Sequence, residues 1–339
     1  MTQLTRRQAI IGASVITAAP AILTSRNAHA AEFNYKLGTN MPAEHPLNKR
    51  ATEAAARIAK ETNGQVVFNI FPSNQLGNDA DMLSQLRSGG LEAFTISGVN
   101  VLSQLVPVSA IYGLGFAFSD EDTVYRALDG DLGKYLRAQF SKVGLVALEG
   151  VWGTGFRQMT NNVRPIASPE DLRGLKMRVP VSPMWTSLFK NLGAAPVSIN
   201  FAEVFPALQT KVVDGQENPL STISIAKLYE VQKYCSMTNH MWDGFLFMLN
   251  QKSWERLPES ARAIVARNFN KSCLDMRADI AKLNASLRSD LESKGLVFNA
   301  PNLAPFRAMV AKSNYYEEWR RKFGDEAWAV LEKYAGKLG

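Results

Sequence analysis

Cysteine and histidine are scarce in this sequence, which has two cysteines and three histidines among 339 residues. Two cysteines form at most one disulfide, and this excludes the small disulfide-rich scaffolds of secreted proteins. His45 and His240 lie far apart, outside the spacing of any metal-ligand motif. We therefore expect no metal centre and no cofactor. At this stage it is open whether Cys235 and Cys273 form a disulfide or remain two free, buried thiols.

Catalytic motifs are also missing. The sequence contains no Gly-x-Ser-x-Gly elbow, no Walker loop and no His-Glu-x-x-His motif. Gly113-x-Gly115 lacks the third glycine of a dinucleotide-binding fingerprint. These absences argue against the common hydrolases, ATPases, metalloproteases and dehydrogenases. The chain is not expected to be an enzyme.

Two further absences concern charge and hydrophobic runs. The net charge of +7 includes no dense basic run of the kind that binds nucleic acid. Beyond the N-terminus, no stretch of 18 apolar residues could cross a membrane. A mild positive bias of this kind is compatible with the attraction of small anions.

The N-terminal 30 residues have the pattern of a secretory signal peptide. Arg6 and Arg7 precede an apolar run from 10 to 23, and Ala28-His29-Ala30 forms an A-x-A cleavage site. The paired arginines favour the twin-arginine export route, although the Sec route stays open. The mature protein is therefore expected in the periplasm.

The rest of the chain alternates strands and helices in an order typical of α/β proteins. The first half reads as βαβαβ, which predicts a parallel sheet with helices on its faces. A nearly continuous helical pattern from 258 to 294 is too long for one small domain and could bridge two lobes. The fold class is predicted as α/β, with two lobes and a cleft between them. Helices are also predicted over 119–142 and 303–334, a strand over 145–152, and a capping box at 200–203.

The segment around Arg178 is the strongest local signal for a site. Leu175, Met177 and Val179 alternate with polar residues on a strand that Pro180 ends. Arg178 thus lies at the carboxyl end of a strand, where open α/β sheets bind ligands. Its planar guanidinium suits a carboxylate or phosphate. The alternative from the segment alone is an ordinary surface or salt-bridged arginine.

Three other residues are weaker candidates by themselves. Trp152 and Arg157 follow the end of a predicted strand, near a sheet edge or the crossing between lobes, and the segment alone favours a packed tryptophan and a solvated arginine. Asn218 could offer its amide to a ligand or be an ordinary turn residue before Pro219. Several aromatic residues favour a core role over a ligand contact, namely Trp185, Phe201, Phe205, Trp242 and Phe245.

Several linked segments together resemble the DctP-type solute-binding proteins of TRAP (tripartite ATP-independent periplasmic) transporters. The likeness runs through essentially the whole mature chain, with the motifs in the family's order and spacing. The segments are Ser73-Asn-Gln-Leu-Gly77, Gly155-Phe-Arg-Gln-Met-Thr-Asn161, the stretch from Arg164 to Pro180, Glu203-Val-Phe-Pro-Ala-Leu-Gln-Thr210, Val213-Asp-Gly-Gln-Glu-Asn-Pro219 and Glu230-Val-Gln-Lys-Tyr234.

This resemblance implies two α/β lobes that close on an organic acid, whose carboxylate the family holds with an arginine. That arginine maps onto Arg178, the family's second arginine onto Arg157, and the amide beside the carboxylate onto Asn218. The resemblance also implies contacts from strand ends and turns, which here contain Asn40, His45, Ser97, Asn100 and Trp152.

We assign lobe I to residues 31–154 with 243–282 returning to it, and lobe II to 155–242 completed by 283–339. The predicted partners are a small organic acid and TRAP membrane permease subunits, and the protein is expected to be a monomer. The alternatives are a ligand-presenting partner of a sensor and, less favoured, a periplasmic enzyme acting on a carboxylic acid.

The identity of the acid is left between two classes. Trp152, Phe156 and Trp242 lie in plausible pocket regions and slightly favour a monocarboxylate with an aromatic or branched body. A C4-dicarboxylate would instead use a second arginine, and Arg157 could supply it.

Overall fold

The computed structural model describes residues 31–338, so the predicted signal peptide lies outside the described residues. Strands and helices alternate along the chain, as predicted. The strands are β1 (Phe33–Thr39), β2 (Val66–Phe71), β3 (Ala93–Ser97), β4 (Leu145–Asn161), β5 (Lys176–Val179), β6 (Ala195–Ser198), β7 (Gly215–Pro219), β8 (Tyr234–Ser236), β9 (Trp242–Asn250) and β10 (Val297–Asn299).

Helices cover the faces of these strands. They are α1 (Pro46–Glu61), α2 (Asp79–Ser88), α3 (Leu102–Leu105), α4 (Glu121–Asp129), α5 (Asp131–Ser141), α6 (Pro183–Asn191), α7 (Val204–Gln209), α8 (Leu220–Ile225), α9 (Gln251–Arg256), α10 (Glu259–Ser293), α11 (Ala304–Lys312), α12 (Tyr315–Phe323) and α13 (Asp325–Ala335).

The strands pair in the order β2-β1-β3-β9-β4-β7-β5-β6, with β8 paired to β4 and β10. Parallel pairs lie at both ends of this order, β1 with β2 and β3 in one half and β5 with β6 and β7 in the other. Two antiparallel strands, β4 and β9, connect the halves. The result is a two-lobed α/β arrangement in which each half has its own parallel strands.

Strand β4 is much longer than the sequence indicated. It was expected to end near Trp152 but continues to Asn161. Its first part pairs with β9, and from Arg157 onward it pairs with β7. Gly155, at φ 99°, lies in a shifted register between the two parts, where a residue with a side chain would be strained. The predicted lobe boundary at 154/155 falls within this continuous strand.

Two predicted helices are in fact interrupted. The region 119–142 forms α4 and α5, which meet at a non-helical Gly130. The region 303–334 forms α11, α12 and α13, and Gly324, at φ 87°, separates the last two. The capping box at 200–203 is also wrong, because Asn200 makes no capping hydrogen bond.

The long helix α10 has the predicted extent and joins two hydrophobic clusters. Phe269 and Met276 pack in the cluster beneath β1, β9 and α1, whereas Leu287 and Leu291 pack in the cluster around α7, α8 and β8. The later helices α11 to α13 contact α4 and α5 of the first half and α6 of the second. The C-terminal helices, which we assigned to lobe II, therefore contact both halves. The exact lobe division stays a prediction.

Both cysteines are buried and free, Cys235 in β8 and Cys273 in α10. They belong to different hydrophobic clusters. None of the helices within residues 31–338 combines the length and hydropathy that crossing a membrane requires. The same residues contain no group of three or more histidine, cysteine and acidic side chains suited to a metal ion.

Helix α10 provides a direct test of the core. Phe269 is fully buried and packs against Phe68 and Phe247, with ring centroids 5.1 and 4.1 Å away. Phe269→Ala leaves a cavity there, and we expect the free energy of unfolding in urea to fall by about 3–5 kcal/mol. Leu274 lies on the same helix but is 60% exposed, so Leu274→Ala should change the free energy of unfolding by less than about 0.5 kcal/mol. Equal effects of the two substitutions would contradict this packing.

Candidate ligand-binding cavity

A cavity with a volume of about 30 Å³, counted as the space open to the centre of a water-sized sphere, lies between the two halves of the molecule. A single water needs about 10–15 Å³ on this measure, so the cavity is nearly closed in this arrangement of the two halves. The sequence-predicted residues that line it are Asn40, Ser97, Asn100, Arg157, Arg178 and Asn218. Other lining residues include Met41, Thr154, Trp185, Phe201, Thr222, Asp243 and Phe245.

The topology explains why these residues meet. Asn40 follows β1, Ser97 ends β3 and Arg178 is the penultimate residue of β5. All three strands belong to parallel pairs, and the carboxyl ends of parallel strands lie at one edge of a sheet. Because β4 and β9 connect the halves, the two edges face the same cavity.

Arg178 is a buried cation without a carboxylate partner. Its side chain is 2% exposed, and its Nε and Nη2 donate to the Ile199 carbonyl at 2.9 and 2.6 Å. Within residues 31–338, no acidic side chain forms an ion pair with it. Burial lowers the pKa of Arg178 to about 9, so the side chain is still cationic at neutral pH. Nearby Arg157 also opposes the charge, and Glu217 favours it.

Arg157, in contrast, is neutralised within the protein. Its Nε donates to Glu217 at 2.5 Å and its Nη1 donates to Asp243 at 2.7 Å. Its Nη2 donates to the Glu217 carbonyl at 2.7 Å and to Asn218 Oδ1 at 3.1 Å. The guanidinium also stacks on Trp185, 4.8 Å from the ring centroid. The expectation of Arg157 as a second carboxylate anchor is therefore disfavoured, because two acids already compensate its charge.

Asp243 connects the two halves of the molecule at this point. Its Oδ1 accepts hydrogen bonds from Ser97 of β3 at 2.7 Å and from the Gly244 amide at 2.9 Å. Its Oδ2 accepts from Arg157 of β4. Burial raises the pKa of Asp243, while Arg157 and Ser97 act in the opposite direction. A chain of polar contacts thus runs from β3 through β9 to β4 and β7.

Glu217 is the fully buried counterpart of Arg157. Burial by itself disfavours its charged form, but Arg157 and His240 outweigh that effect and lower the pKa of Glu217 to about 2. His240 Nε2 donates to Glu217 at 3.1 Å, since a carboxylate only accepts, and its Nδ1 accepts from Thr238 at 2.8 Å. Burial lowers the pKa of His240, which keeps the ring neutral.

The amide of Asn218 is engaged in the same network. Its Oδ1 accepts from Arg157, and its Nδ2 donates to Gln216 Oε1 at 2.6 Å. Asn218 lines the cavity at the end of β7, beside Pro219. Arg157 thus positions the residue that the sequence placed beside a ligand carboxylate.

Polar residues of the first half face Arg178 across the cavity. Asn40 and Asn100 each donate their amide Nδ2 to Asp79 Oδ2, at 3.0 and 2.6 Å. Asp79 is 3% exposed, and its charge acts on Arg178. Burial raises the pKa of Asp79, opposed by hydrogen bonds from Asn40, Asn74 and Asn100.

The structure places four of the sequence-predicted residues outside the cavity lining. Trp152 packs against Phe247 in the core beneath α10, and Trp242 packs between Tyr112 and Tyr125 on the opposite face. Phe156 packs against the larger core, and His45 caps α1 by accepting the Leu47 amide at 3.2 Å. The aromatic residues that do line the cavity are Trp185, Phe201 and Phe245, which the sequence assigned to the core.

Two residues show what sequence reasoning missed. Asp243 is the only acid in the apolar run from Met241 to Leu249, and an acid in a buried strand needs a partner. A lone acid in an apolar strand could therefore have identified Asp243 from the sequence. No sequence pattern indicated Trp185 as a cavity residue, because its position depends on how α6 packs against the rest of the fold.

The two-lobed α/β fold with a polar cavity between its halves is the fold of periplasmic solute-binding proteins. The sequence profile of the bacterial extracellular solute-binding proteins, family 7 (DctP), matches residues 37–322. The chain belongs to this family.

Curated and solved relatives agree with this assignment. An uncharacterized protein of Sinorhizobium fredii, y4mM, is 39% identical over 78% of this chain, although the chain spans only about half (48%) of that relative. The sialic acid-binding periplasmic protein SiaP of Vibrio cholerae is 32% identical over 91% of this chain and 95% of its own length. A TRAP periplasmic solute-binding protein of a Polaromonas species, solved with D-erythronate, is 28% identical with a TM-score of 0.85, covering 90% of this chain and 100% of that one.

The buried ion pair provides a pH-dependent test. Glu217→Gln removes the charge that neutralises Arg157, so the free energy of unfolding at neutral pH should fall by about 3 kcal/mol. The pKa of Glu217 lies below its ordinary value of 4.5, at about 2. Its stabilisation is therefore present above pH 4.5 and is lost as the pH falls toward 2.

Urea unfolding of both proteins between neutral pH and about pH 3 measures this effect. The difference between wild type and variant should shrink over the acidic part of that range. The exposed Glu203 gives a matched control, Glu203→Gln, that should change little at any pH. A difference that stays constant down to about pH 3 would contradict the assigned role of Glu217.

Proposed function

We propose that this protein is the periplasmic solute-binding subunit of a TRAP transporter, which captures an organic acid by its carboxylate and delivers it to a membrane permease. The single observation that carries the proposal is Arg178, a buried cation in the interlobe cavity with no carboxylate partner among residues 31–338. A ligand carboxylate would supply the missing counter-charge through charge-assisted hydrogen bonds.

The acids named for two relatives support this choice of ligand class. SiaP is named for sialic acid, and the Polaromonas relative was solved with D-erythronate. Both compounds carry a carboxylate. This chain offers one uncompensated arginine to such a group, since Arg157 is already paired with Glu217 and Asp243.

Ligand capture would proceed by closure of the two lobes. Arg178 is only 2% exposed in this arrangement, so a ligand enters when the lobes separate and is enclosed when they close. The connecting elements β4, β9 and α10 are the places where such a motion would be absorbed. Closure removes water from the cavity, which strengthens the ion pair between Arg178 and the carboxylate.

A receptor role is favoured over catalysis by the state of the polar groups. Glu217, Asp243, Arg157 and His240 satisfy one another in the described structure. Their charges and hydrogen bonds are compensated within the protein, which suits groups that position neighbouring residues. We further propose that the protein acts in the periplasm as a monomer and that residues 1–30 direct its export.

The proposal is tested by binding measurements on Arg178 variants. The wild-type protein should bind at least one compound from a panel of organic acids with micromolar or lower Kd, measured by calorimetry after a thermal-shift screen. Arg178→Ala should weaken that binding at least about 100-fold, because it removes a charge-assisted hydrogen-bond pair. Arg178→Lys should recover only part of it, since the ammonium lacks the planar fork.

The matched control is Arg173→Ala, which removes an exposed arginine from the same segment. It should leave the Kd within about twofold of wild type, as expected of a surface substitution. An acid that binds Arg178→Ala as tightly as wild type would remove Arg178 from the mechanism. A panel in which no acid binds wild type would overturn the proposed function itself.

A further inference from the structure

A second groove lies on the surface of the molecule, between the segment 116–119 and the C-terminal helices α11 to α13. Its volume is about 300 Å³ on the same measure that gives about 30 Å³ for the interlobe cavity. The two sets of lining residues have no member in common. The groove is therefore separate from the interlobe cavity and has room for a small molecule in this arrangement of the halves.

The floor of the groove is apolar. Phe116, Phe118 and Tyr316 line it and are only 5%, 4% and 7% exposed. The Tyr316 hydroxyl donates to the Gly115 carbonyl at 2.9 Å, so this polar atom already has a partner. The rings of the three side chains form a surface on which a hydrocarbon body would be removed from water.

The backbone of this floor is held in an unusual conformation. Phe116 has a φ of 57°, in the left-handed region that bulky residues rarely adopt. Its amide donates to the His240 carbonyl at 2.8 Å, which fixes the residue in this conformation. Backbone strain of this kind persists only where the surrounding structure imposes it, and it concentrates at functional sites.

The rim of the groove is positively charged. Arg307 of α11 and Lys337 line it, and none of the described lining residues is acidic. Lys337 forms an ion pair with Glu332 at 2.8 Å, whereas Arg307 forms no ion pair within residues 31–338. Burial raises the pKa of Tyr316 to about 12, and the charge of Arg307 opposes that rise. The positive charge of Arg307 therefore acts on the floor of the groove.

We propose that this groove is a second binding site, which takes a small amphipathic anion such as an aryl or alkyl carboxylate. The hydrocarbon body lies on Phe116, Phe118 and Tyr316, and the negative head group contacts Arg307. An organic cation would meet Arg307 with no acid in the lining to offset the repulsion. A small hydrophilic anion would leave the apolar floor exposed to water. The inference goes beyond the proposed function, since it uses no residue of the interlobe cavity.

The test uses Arg178→Ala protein, which lacks the proposed anchor of the interlobe cavity. Calorimetry would compare 4-phenylbutanoate with 4-phenylbutylammonium, which has the same body and the opposite charge, and with acetate, which lacks the body. 4-Phenylbutanoate should bind one site with a Kd below about 1 mM, at least about tenfold more tightly than either of the others. No binding, or equal binding of the ammonium compound, would overturn the inference. Binding that wild type shows and Arg178→Ala loses would assign the acid to the interlobe cavity, which also overturns the inference but supports the proposed function.

Substitutions in the same background then locate the site. Arg307→Ala should weaken 4-phenylbutanoate binding at least about fivefold, because it removes the partner of the head group. Ala311 is an exposed lining residue of α11, and Ala311→Glu adds an acid there. This substitution should weaken binding of the anion and strengthen binding of the ammonium compound.

The matched control is Lys312→Ala, which removes a positive charge from an exposed position of α11 outside the lining. It should leave the Kd within about twofold. Thermal unfolding without ligand checks that each variant is folded. If neither Arg307→Ala nor Ala311→Glu changes the Kd of 4-phenylbutanoate, the anion binds elsewhere and the inference fails.

Discussion

The burial of one arginine charge without a protein counter-charge is the constraint on which the rest of the site depends. Transfer of an ion from water into a protein interior costs several kcal/mol unless a partner compensates it. Arg178 donates two hydrogen bonds to a single carbonyl, that of Ile199. It forms an ion pair with no carboxylate among residues 31–338. The closed arrangement of the lobes is consequently incomplete by itself. In the proposed function, a ligand carboxylate between the lobes would supply the missing charge and would link capture of the acid to closure.

The two cavity arginines have different roles because the acidic residues are distributed unequally between them. Glu217 and Asp243 both bind Arg157, which fixes its guanidinium against Trp185 and holds Asn218 in place. If either acid were paired with Arg178 instead, the carboxylate site would be occupied by the protein. The buried Arg157 network therefore has two consequences. It connects β4, β7 and β9, and it engages both acids away from Arg178, the cation that we propose as the ligand anchor.

The sequence was sufficient where a local pattern determines the structure. The alternation that ends at Pro180 placed Arg178 at a strand end, and the long apolar periodicity predicted α10 within a residue at each end. It was insufficient where the outcome depends on which face of a strand a side chain occupies. Trp152 and Trp242 lie on strands that cross both halves, and bulges in β4 change the facing of its residues. Their direction follows from register and from packing partners distant in the chain, which no local pattern records.

The polar residues of the cavity come from both halves of the molecule. Arg178 belongs to the second half of the molecule, whereas Asn40 and Asn100 belong to the first. A ligand that left Arg178 without a counter-charge after water is expelled would oppose closure, because a buried, uncompensated charge costs several kcal/mol. In the proposed function, a ligand that contacts both halves favours the arrangement in which they enclose it. A permease that separated the lobes would then remove the contacts from one half and weaken binding, which is how capture and delivery could use the same motion.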